Sequence, residues 1–370
     1  MNKDAKIVLE EGIKIKSYGE SITKKLEVFY NPVMKINRDI SLLVIESYFT
    51  KKIKFCDPMA ASGIRELRFL KTIPNKFDKL VIGDVSDNAI KNIKNNFKLN
   101  KLPLKQVELM QGNAINTIAS QYYDFIEIDP FGSPVPFLDI AIQRIKHEGI
   151  LSVTATDSAA LCGTYPKKCL RRYGISVTKT LCYDEIGIRN LIAYSQREGA
   201  KYDKNLIPVL TIISDHFYKV FFRVEESRTD SLESIKNHKF YKWDKKTQEF
   251  KLSDFQKDKN YFGKTYIGKL HNKELVTKMI SKLDLLTDNK KCEKMLNSIS
   301  NEIDTFGYYN VNKLQKEFKF SSSIRFEELF EELKTKKYNV SRTHGSKIGI
   351  KTNASAKEIV RIMKKKLYRP

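Results

Sequence analysis

No three-glycine loop follows the first apolar strand of this chain, which removes a dinucleotide-dependent dehydrogenase from the simplest readings of an alternating α/β sequence. Cysteine is scarce. The five thiols, Cys56, Cys162, Cys169, Cys182 and Cys292, are odd in number and contain no CxxC pair. That argues against a disulfide framework and against a zinc ribbon, so no metal is expected. Long apolar runs are missing too: no window approaches the ~20 residues of a membrane span. The opening MNKDAKIVLEEG lacks the apolar stretch of a secretion signal. The expectation is a cytoplasmic protein, away from membranes and without an obligate protein partner.

What the chain has in excess is positive charge. Its 370 residues carry 67 basic and 44 acidic side chains, a net +23. Residues 1–230 hold 35 basic and 27 acidic groups, and residues 231–370 hold 32 and 17, so the excess sits mainly in the last part. Such a surplus favours a polyanion, because each neutralised phosphate releases counterions; a lysine-rich solubilising surface is the competing explanation. Hydrophobic residues make up 41% of the chain, enough for a buried core. The length suits two domains at ~150 residues each.

Residues 1–50 read as an opening segment that folds over the site. A turn at VFYNP leads to the apolar run ISLLVIESYF, a predicted helix capped by Asn37 or Asp39. From residue 53 short apolar runs alternate with helical stretches. Strands are predicted at 54–57, 79–85, 106–113, 123–130 and 149–156, with helices at 62–73, 86–100, 114–121 and 135–146 between them. Five such alternations predict a mostly parallel sheet covered on both faces. LIPVLTIIS (206–214) and HFYKVFFRV (216–224) are joined too tightly for a crossover helix and predict an antiparallel hairpin. A closing hairpin separates the seven-stranded, Rossmann-like class I methyltransferase sheet from a dinucleotide-binding one. Residues 1–230 are thus expected to form an S-adenosylmethionine-dependent catalytic domain. Residues 231–370, where lysine rises and apolar density falls, are expected to form a smaller basic α+β domain, with strands at KFYKWD and TYIGKL.

In sheets of this kind ligands bind at the carboxyl ends of the strands. Four ends stand out. Asp57 closes the first strand, and the small residues through Gly63 let the backbone approach a ligand. Asp84 closes the second, at an offset suited to a carboxylate that accepts both ribose hydroxyls. Asn113-Ala114 follows the third; an amide here suits an adenine amine, and an ordinary helix cap is the alternative. The fourth, EIDPFGSP, is the sharpest. Pro130 restricts Asp129 to extended geometry, and Phe131 offers a flat face for a base. A carboxylate accepting an N–H localises the lone pair of an exocyclic amine, which then attacks a sulfonium methyl. This reading fails if the Asp129 carboxylate is buried away from any cavity or locked in an ion pair. Arg38 and Arg65 are candidates for a bidentate bond to a cofactor carboxylate. In TYPKKCLRRYG, Lys167, Lys168, Arg171 and Arg172 are candidate phosphate contacts, since residues four apart share a helix face; a solvated helix face would look the same.

The segments FYNPVMKINRDIS, DPMAASGIRELRF, IEIDPFGSPVPFLD, TATDSAALCGTYPKKCLRRYG and SRTHGSKIGIKTNAS resemble the signatures of the archaeal and eukaryotic tRNA (guanine-26 N2)-dimethyltransferases, over nearly the whole chain. The resemblance implies two successive methyl transfers from S-adenosylmethionine to guanine N2 in tRNA. It implies Asp129 as the catalytic carboxylate, and Phe29 and Phe131, with Pro130, around the guanine. Arg38, Arg65, Asp84, Val85, Asn113 and Ala114 fall at cofactor positions. Asn113 stands where the family has an aspartate, and Gly345 where an aromatic often follows the histidine. The paired zinc cysteines of many relatives are missing. Methylation of DNA adenine or of a protein amide, and RNA binding without catalysis, are the other functions such residues admit.

Overall fold

The computed structural model describes residues 6–17, 30–214, 216–320 and 322–367. It opens with an antiparallel hairpin, β1 (Lys6–Glu10) and β2 (Ile13–Ser17), followed by helix α1 (Lys35–Tyr48). The helix starts earlier than predicted. Met34 occupies its cap position without a side-chain bond, and Asn31 caps the short turn before it. Asn37 and Asp39 are therefore not caps. They lie inside the helix, 1% and 3% exposed, facing arginines of the next helix.

The expected alternation follows: β3 (Ile53–Asp57), α2 (Ile64–Thr72), β4 (Phe77–Asp84), α3 (Asp87–Leu99), β5 (Val107–Gln111), α4 (Ala114–Ala119), β6 (Tyr123–Ile128), α5 (Val135–Arg144) and β7 (Ile145–Ala155). Next come α6 (Ser158–Leu161), α7 (Pro166–Tyr173), α8 (Tyr183–Ala200), β8 (Lys204–Ser214) and β9 (Phe217–Glu226). One seven-stranded sheet results, in the order β5-β4-β3-β6-β7-β9-β8. The pairs β4/β5, β3/β4, β3/β6 and β6/β7 are parallel. The two residues between β8 and β9 leave no room for a crossover, so these neighbours run antiparallel. Strand order reverses between β3 and β6, and that switch opens a crevice beyond their carboxyl ends. Asp57 and Asp129 stand there.

Local chemistry explains the elements around that crevice. Ser86 caps α3 by accepting the Ala89 N–H, and Ile90, Ile93 and Phe97 recur at helical spacing on its buried face. The rings of Phe55, Phe69, Phe77 and Phe125 pack beneath the sheet at centroid distances of 5.4–6.1 Å, fixing α2 against β3 and β4. Gly174 stops α7 in the left-handed region, φ +62°.

The remainder is built from α9 (Arg228–Lys236), β10 (Lys239–Trp243), β11 (Phe250–Ser253), β12 (Phe262–Thr265), α10 (Lys273–Ile280), α11 (Lys290–Asn301), β13 (Tyr309–Asn310), α12 (Val311–Glu317), α13 (Phe326–Thr335), β14 (Val340–Thr343), β15 (Ser346–Thr352) and α14 (Ala356–Leu367). The strands make two three-stranded sheets, β11-β10-β12 and β13-β15-β14. KFYKWD is a strand as predicted; TYIGKL is a strand only at its first residue. The chain divides into two compact units, neither continuous in sequence. One runs to Thr154 and includes Phe221–Glu226 and Lys273–Leu296; the other holds Ala155–Val220, Ser227–Asn272 and the residues from Asn297 on. Among the described residues no helix is long and apolar enough to cross a membrane.

Candidate active site

The four strand ends singled out from sequence all belong to the first unit. Asp84 is half-buried at the tip of β4, where Oδ2 accepts the Ala61 N–H and Oδ1 the Ser86 N–H, each at 2.9 Å. A carboxylate offers about four lone-pair sites, so about two remain for incoming hydroxyls. The Ala61 N–H reaches it through a strained turn, with Ala61 at φ +50° and Gly63 at φ +70°. A Cβ on Gly63 would meet the Ile93 side chain at 3.1 Å, so the glycine serves both conformation and packing. Beside Asp84, Val85 is 72% exposed, an apolar surface with no cover. Asn113 is exposed; its Oδ1 accepts the Ile115 N–H at 2.9 Å and so caps α4, with Ala114 buried next to it.

The crevice between β3 and β6 holds a dense ionic knot around one guanidinium. Arg65 Nη2 lies 2.6 Å from Asp129 Oδ2, Nε 3.2 Å from Asp57 Oδ2, and Nη1 3.2 Å from Glu127 Oε2. Nη1 also donates to Asn37 Oδ1 at 3.0 Å and Ser41 Oγ at 3.2 Å. Burial presses the Asp57 carboxyl up, and Arg65 pulls it back; the balance leaves it at about 6. The neighbouring Glu66, fully buried, is pushed well above the usual range by burial and by the charge of Asp57.

The ion pair that would defeat the reading of Asp129 is present, but at one oxygen only, so the expectation of an unpaired carboxylate is corrected. Asp129 does not stand alone at the strand tip: Oδ2 is tied to Arg65 at 2.6 Å. Oδ1 makes no hydrogen bond among the described residues, and the side chain keeps 14% of its exposure. Pro130 is buried behind it and Phe131 is 52% exposed. Phe29 lies outside the described residues.

Arg38 and Arg65 are both committed to protein groups where a cofactor carboxylate was expected. Arg38 grips Glu10 through Nε (2.8 Å) and Nη2, and also reaches the Asn31 carbonyl. Arg68 joins the same Glu10, at 2.8 Å, to Asp39, and Tyr30 donates to Glu10 at 2.9 Å. Only Nη1 of Arg38 makes no hydrogen bond among the described residues.

Residues 5–364 match the family described as N2,N2-dimethylguanosine tRNA methyltransferase. The chain belongs to this family. It is 33% identical over 364 residues to the tRNA (guanine(26)-N(2))-dimethyltransferase of Methanococcus maripaludis, covering 96% of this chain and 97% of that protein. To the protein of the same name from Pyrococcus abyssi it is 31% identical over 376 residues, covering 96% and 98%. A solved structure of Trm1 from Pyrococcus horikoshii with S-adenosyl-L-methionine superposes with a TM-score of 0.87 at 30% identity, over 96% of this chain and 99% of that one.

Within this N2,N2-dimethylguanosine tRNA methyltransferase family member, the residues that sequence reasoning missed are those that hold the others. Glu127, 0% exposed, accepts from Ser41 (3.0 Å) and Ser152 (2.8 Å) as well as Arg65. The one available signal was a charged residue inside the apolar run of a strand, which demands a partner.

In the second unit, α7 presents Lys167 and Arg171 exposed and Lys168 half-buried, with no acidic partner for any of the three among the described residues. Arg172 differs: it pairs with Asp157 at 2.8 Å, which also accepts the Tyr173 hydroxyl at 2.7 Å. The same unit holds the only trio of metal-capable side chains among the described residues, His271, Glu302 and His344. Its chemistry suits an ion-pair network better than a cation. The Lys351 ammonium lies 3.0 Å from Glu302 Oε1, and His271 Nδ1 accepts the Thr211 N–H at 3.3 Å, which puts the proton of the neutral ring on Nε2.

Proposed function

We propose that this protein transfers one and then a second methyl group from S-adenosylmethionine to the exocyclic N2 of guanine 26 in tRNA. One observation carries the reading: in a chain so similar to tRNA (guanine-26 N2)-dimethyltransferases along its length, Asp129 keeps Oδ1 uncommitted, beside the buried Pro130 and two residues from an exposed phenylalanine ring.

The strand ends fit the cofactor. The spare lone pairs of Asp84 suit its ribose hydroxyls. Val85 and Ala114 suit the adenine face, with Asn113 at its edge. Asp57 and Gly63 shape the turn that approaches the methionine part, whose carboxylate falls to Nη1 of Arg38. Arg65 can join it only through what its protein partners leave. When bound, the cofactor supplies an electrophilic methyl group on a sulfonium. The chain's own work is to aim the amine. Phe131 stacks on the guanine, and Phe29 is assigned the opposite face, which offsets the cost of unstacking the base. Asp129 Oδ1 accepts an N–H of the amine, so the nitrogen lone pair turns towards the methyl carbon and positive charge is stabilised as the bond forms. Help of this kind contributes ~10²–10⁴-fold. Lys167, Lys168 and Arg171 are read as phosphate contacts, and the basic residues 231–370 as the tRNA-gripping part.

The test is nucleoside mass spectrometry of unmodified tRNA incubated with the protein and S-adenosylmethionine. N2-methylguanosine should appear first and N2,N2-dimethylguanosine should replace it. Methyl groups on DNA adenine or on protein, with none on tRNA guanine, would overturn the proposal.

A further inference from the structure

Helix α7 has one side anchored and another bare. Cys169 and Tyr173 are buried, and the Tyr173 hydroxyl and Arg172 both hold Asp157, at 2.7 and 2.8 Å. The other side carries Lys167, Leu170 and Arg171, all exposed, with Leu170 at 56% between the two cations. Just ahead of the helix stands Tyr165, 58% exposed. Among the described residues its ring packs on no other ring or cation and its hydroxyl makes no hydrogen bond.

A lone exposed apolar side chain is ordinary. What sets Tyr165 apart is how firmly its backbone is held. Its N–H donates to the Ala159 carbonyl at 3.0 Å, and its own carbonyl accepts from Lys168 and Cys169 at 3.0 and 3.1 Å. Pro166 restricts it to extended geometry, φ −122° and ψ 74°. Two residues earlier, Gly163 at φ +85° lies so close to the next segment that a Cβ would come within 2.8 Å of the Lys179 nitrogen. The ring is thus carried on a turn fixed before any ligand arrives, which lowers the ordering cost of binding. A fixed aromatic face beside cations that have no acidic partner suits a polyanion that carries flat rings. Bases inside an RNA duplex have their faces covered by their neighbours, so only an unpaired base offers one.

We propose that Tyr165 is a base-stacking platform: its ring takes one face of an unpaired base in the RNA whose phosphates Lys167, Lys168 and Arg171 hold. The proposal rests on the functional reading above and adds to it a contact that is not ionic. The base is a second one, distinct from the methylated guanine, whose faces are assigned to Phe131 and Phe29. Stacking needs only a π-face, so the platform tolerates any base. Its work is to fix the register of the RNA on α7.

The test measures tRNA affinity, steady-state methylation and melting temperature for wild type, Tyr165→Ala and Tyr165→Phe, with affinity taken from ~50 to ~200 mM salt. Tyr165→Ala should weaken tRNA binding roughly 5- to 150-fold, the loss expected of one base–aromatic stack. The slope of log affinity against log salt should stay at the wild-type value, because no phosphate contact is lost. Tyr165→Phe should bind within about twofold of wild type, because the ring that stacks is kept. In Tyr165→Ala the KM for tRNA should rise with kcat within about threefold of wild type, the mark of uniform binding. A short single-stranded RNA should lose affinity for Tyr165→Ala, and a blunt RNA duplex should not.

Wild-type tRNA affinity in Tyr165→Ala overturns the proposal. So does a loss accompanied by a flattened salt slope, which makes Tyr165 a support for the ionic contacts. A phenylalanine variant as weak as the alanine one assigns the contact to the hydroxyl and overturns stacking, and equal losses on single strand and duplex overturn the unpaired base. If Tyr165→Ala does not fold, Tyr165→Leu, which keeps apolar bulk without an aromatic face, decides by the same criteria. A wild type that shows the single-strand preference but leaves tRNA guanine unmethylated sinks the functional reading alone. Guanine methylation with Tyr165→Ala indistinguishable from wild type sinks the platform alone.

Discussion

Glu302 and His344 meet at 2.8 Å between Oε2 and Nδ1, with both side chains 1% exposed. The His344 backbone N–H also donates to Oε2 at 2.8 Å, and Lys351 holds the other oxygen at 3.0 Å. Burial opposes the charge on Glu302, but the imidazole and the ammonium outweigh it and keep the carboxyl well below its usual range. Lys351 has a second partner, Glu185, at 3.1 Å, but that carboxylate is shared with Arg189 at 2.8 Å. Glu302→Gln should therefore leave a buried ammonium under-neutralised and cost ~3–5 kcal/mol. Urea denaturation measures it, and Lys351→Met added to Glu302→Gln should restore part of the loss. A single variant as stable as wild type removes this network from the determinants of the fold. Dialysis against a chelator should leave the melting temperature unchanged, because the Lys351 ammonium already neutralises Glu302, although Nε2 of His271 and of His344 makes no hydrogen bond among the described residues.

A second expectation concerns acid and base. Asp57 is raised from 3.8 to about 6 in the fold, chiefly by burial, and Glu66 is also raised well above its usual range. A carboxyl with a raised folded pKa contributes stability that is complete below its unfolded value and is lost as pH climbs through the folded one. For Asp57 that window runs from about pH 4 to about pH 6, and for Glu66 it opens upward from the usual carboxylate range. Glu66→Gln cannot ionise, so it escapes the loss. The melting temperature of Glu66→Gln minus that of wild type should be more positive at pH 8 than at pH 4. A difference that is flat, or of opposite slope, would show that Glu66 ionises freely in the fold.

Charge reversal at Lys167 and Lys168 should weaken tRNA binding and flatten its dependence on salt. Each lost phosphate contact removes about 0.7–0.9 from the slope of log affinity against log salt, so the pair should reduce it by about 1.4–1.8. Filter binding between ~50 and ~200 mM salt reads the slope. Arg172→Glu should behave differently, since that residue already serves Asp157, and should lower thermal stability as well. An unchanged slope in the lysine variant would reduce α7 to a solvated face.

How much of this was legible in the sequence depends on the range of each interaction. Asp57, Asp84 and Asp129 end apolar runs, and strand ends are local features, so the sheet and its tips could be read directly. Asn37 and Asp39 looked like helix caps because a polar residue before an apolar run usually is one. Their actual partners, Arg65 and Arg68, lie 28 and 29 residues away, and no local pattern carries that. The 18-residue α8 was missed for a related reason: Glu185, Arg189, Asn190 and Gln196 are buried along it and blur the apolar face. The β14–β15 hairpin escaped because a register shift between Arg342 and Thr343 breaks the two-residue alternation.

Asp129 gives the most direct test of the chemistry. Asp129→Ala removes the acceptor and should abolish methylation while leaving tRNA binding nearly intact, because the loss is local to the reacting nitrogen. The variant should also fold. Arg65 retains Asp57 and Glu127 at 3.2 Å each, so its charge stays neutralised, and one like-charge repulsion within the knot disappears. Asp129→Asn separates shape from charge: its amide oxygen can still accept an N–H but cannot stabilise the growing positive charge or take the proton. Its rate should fall between those of wild type and Asp129→Ala. Single-turnover methylation and tRNA affinity, measured side by side, decide. Full activity in Asp129→Ala, or equal loss of binding and rate, would assign this carboxylate to holding Arg65 in place and leave the amine to another acceptor.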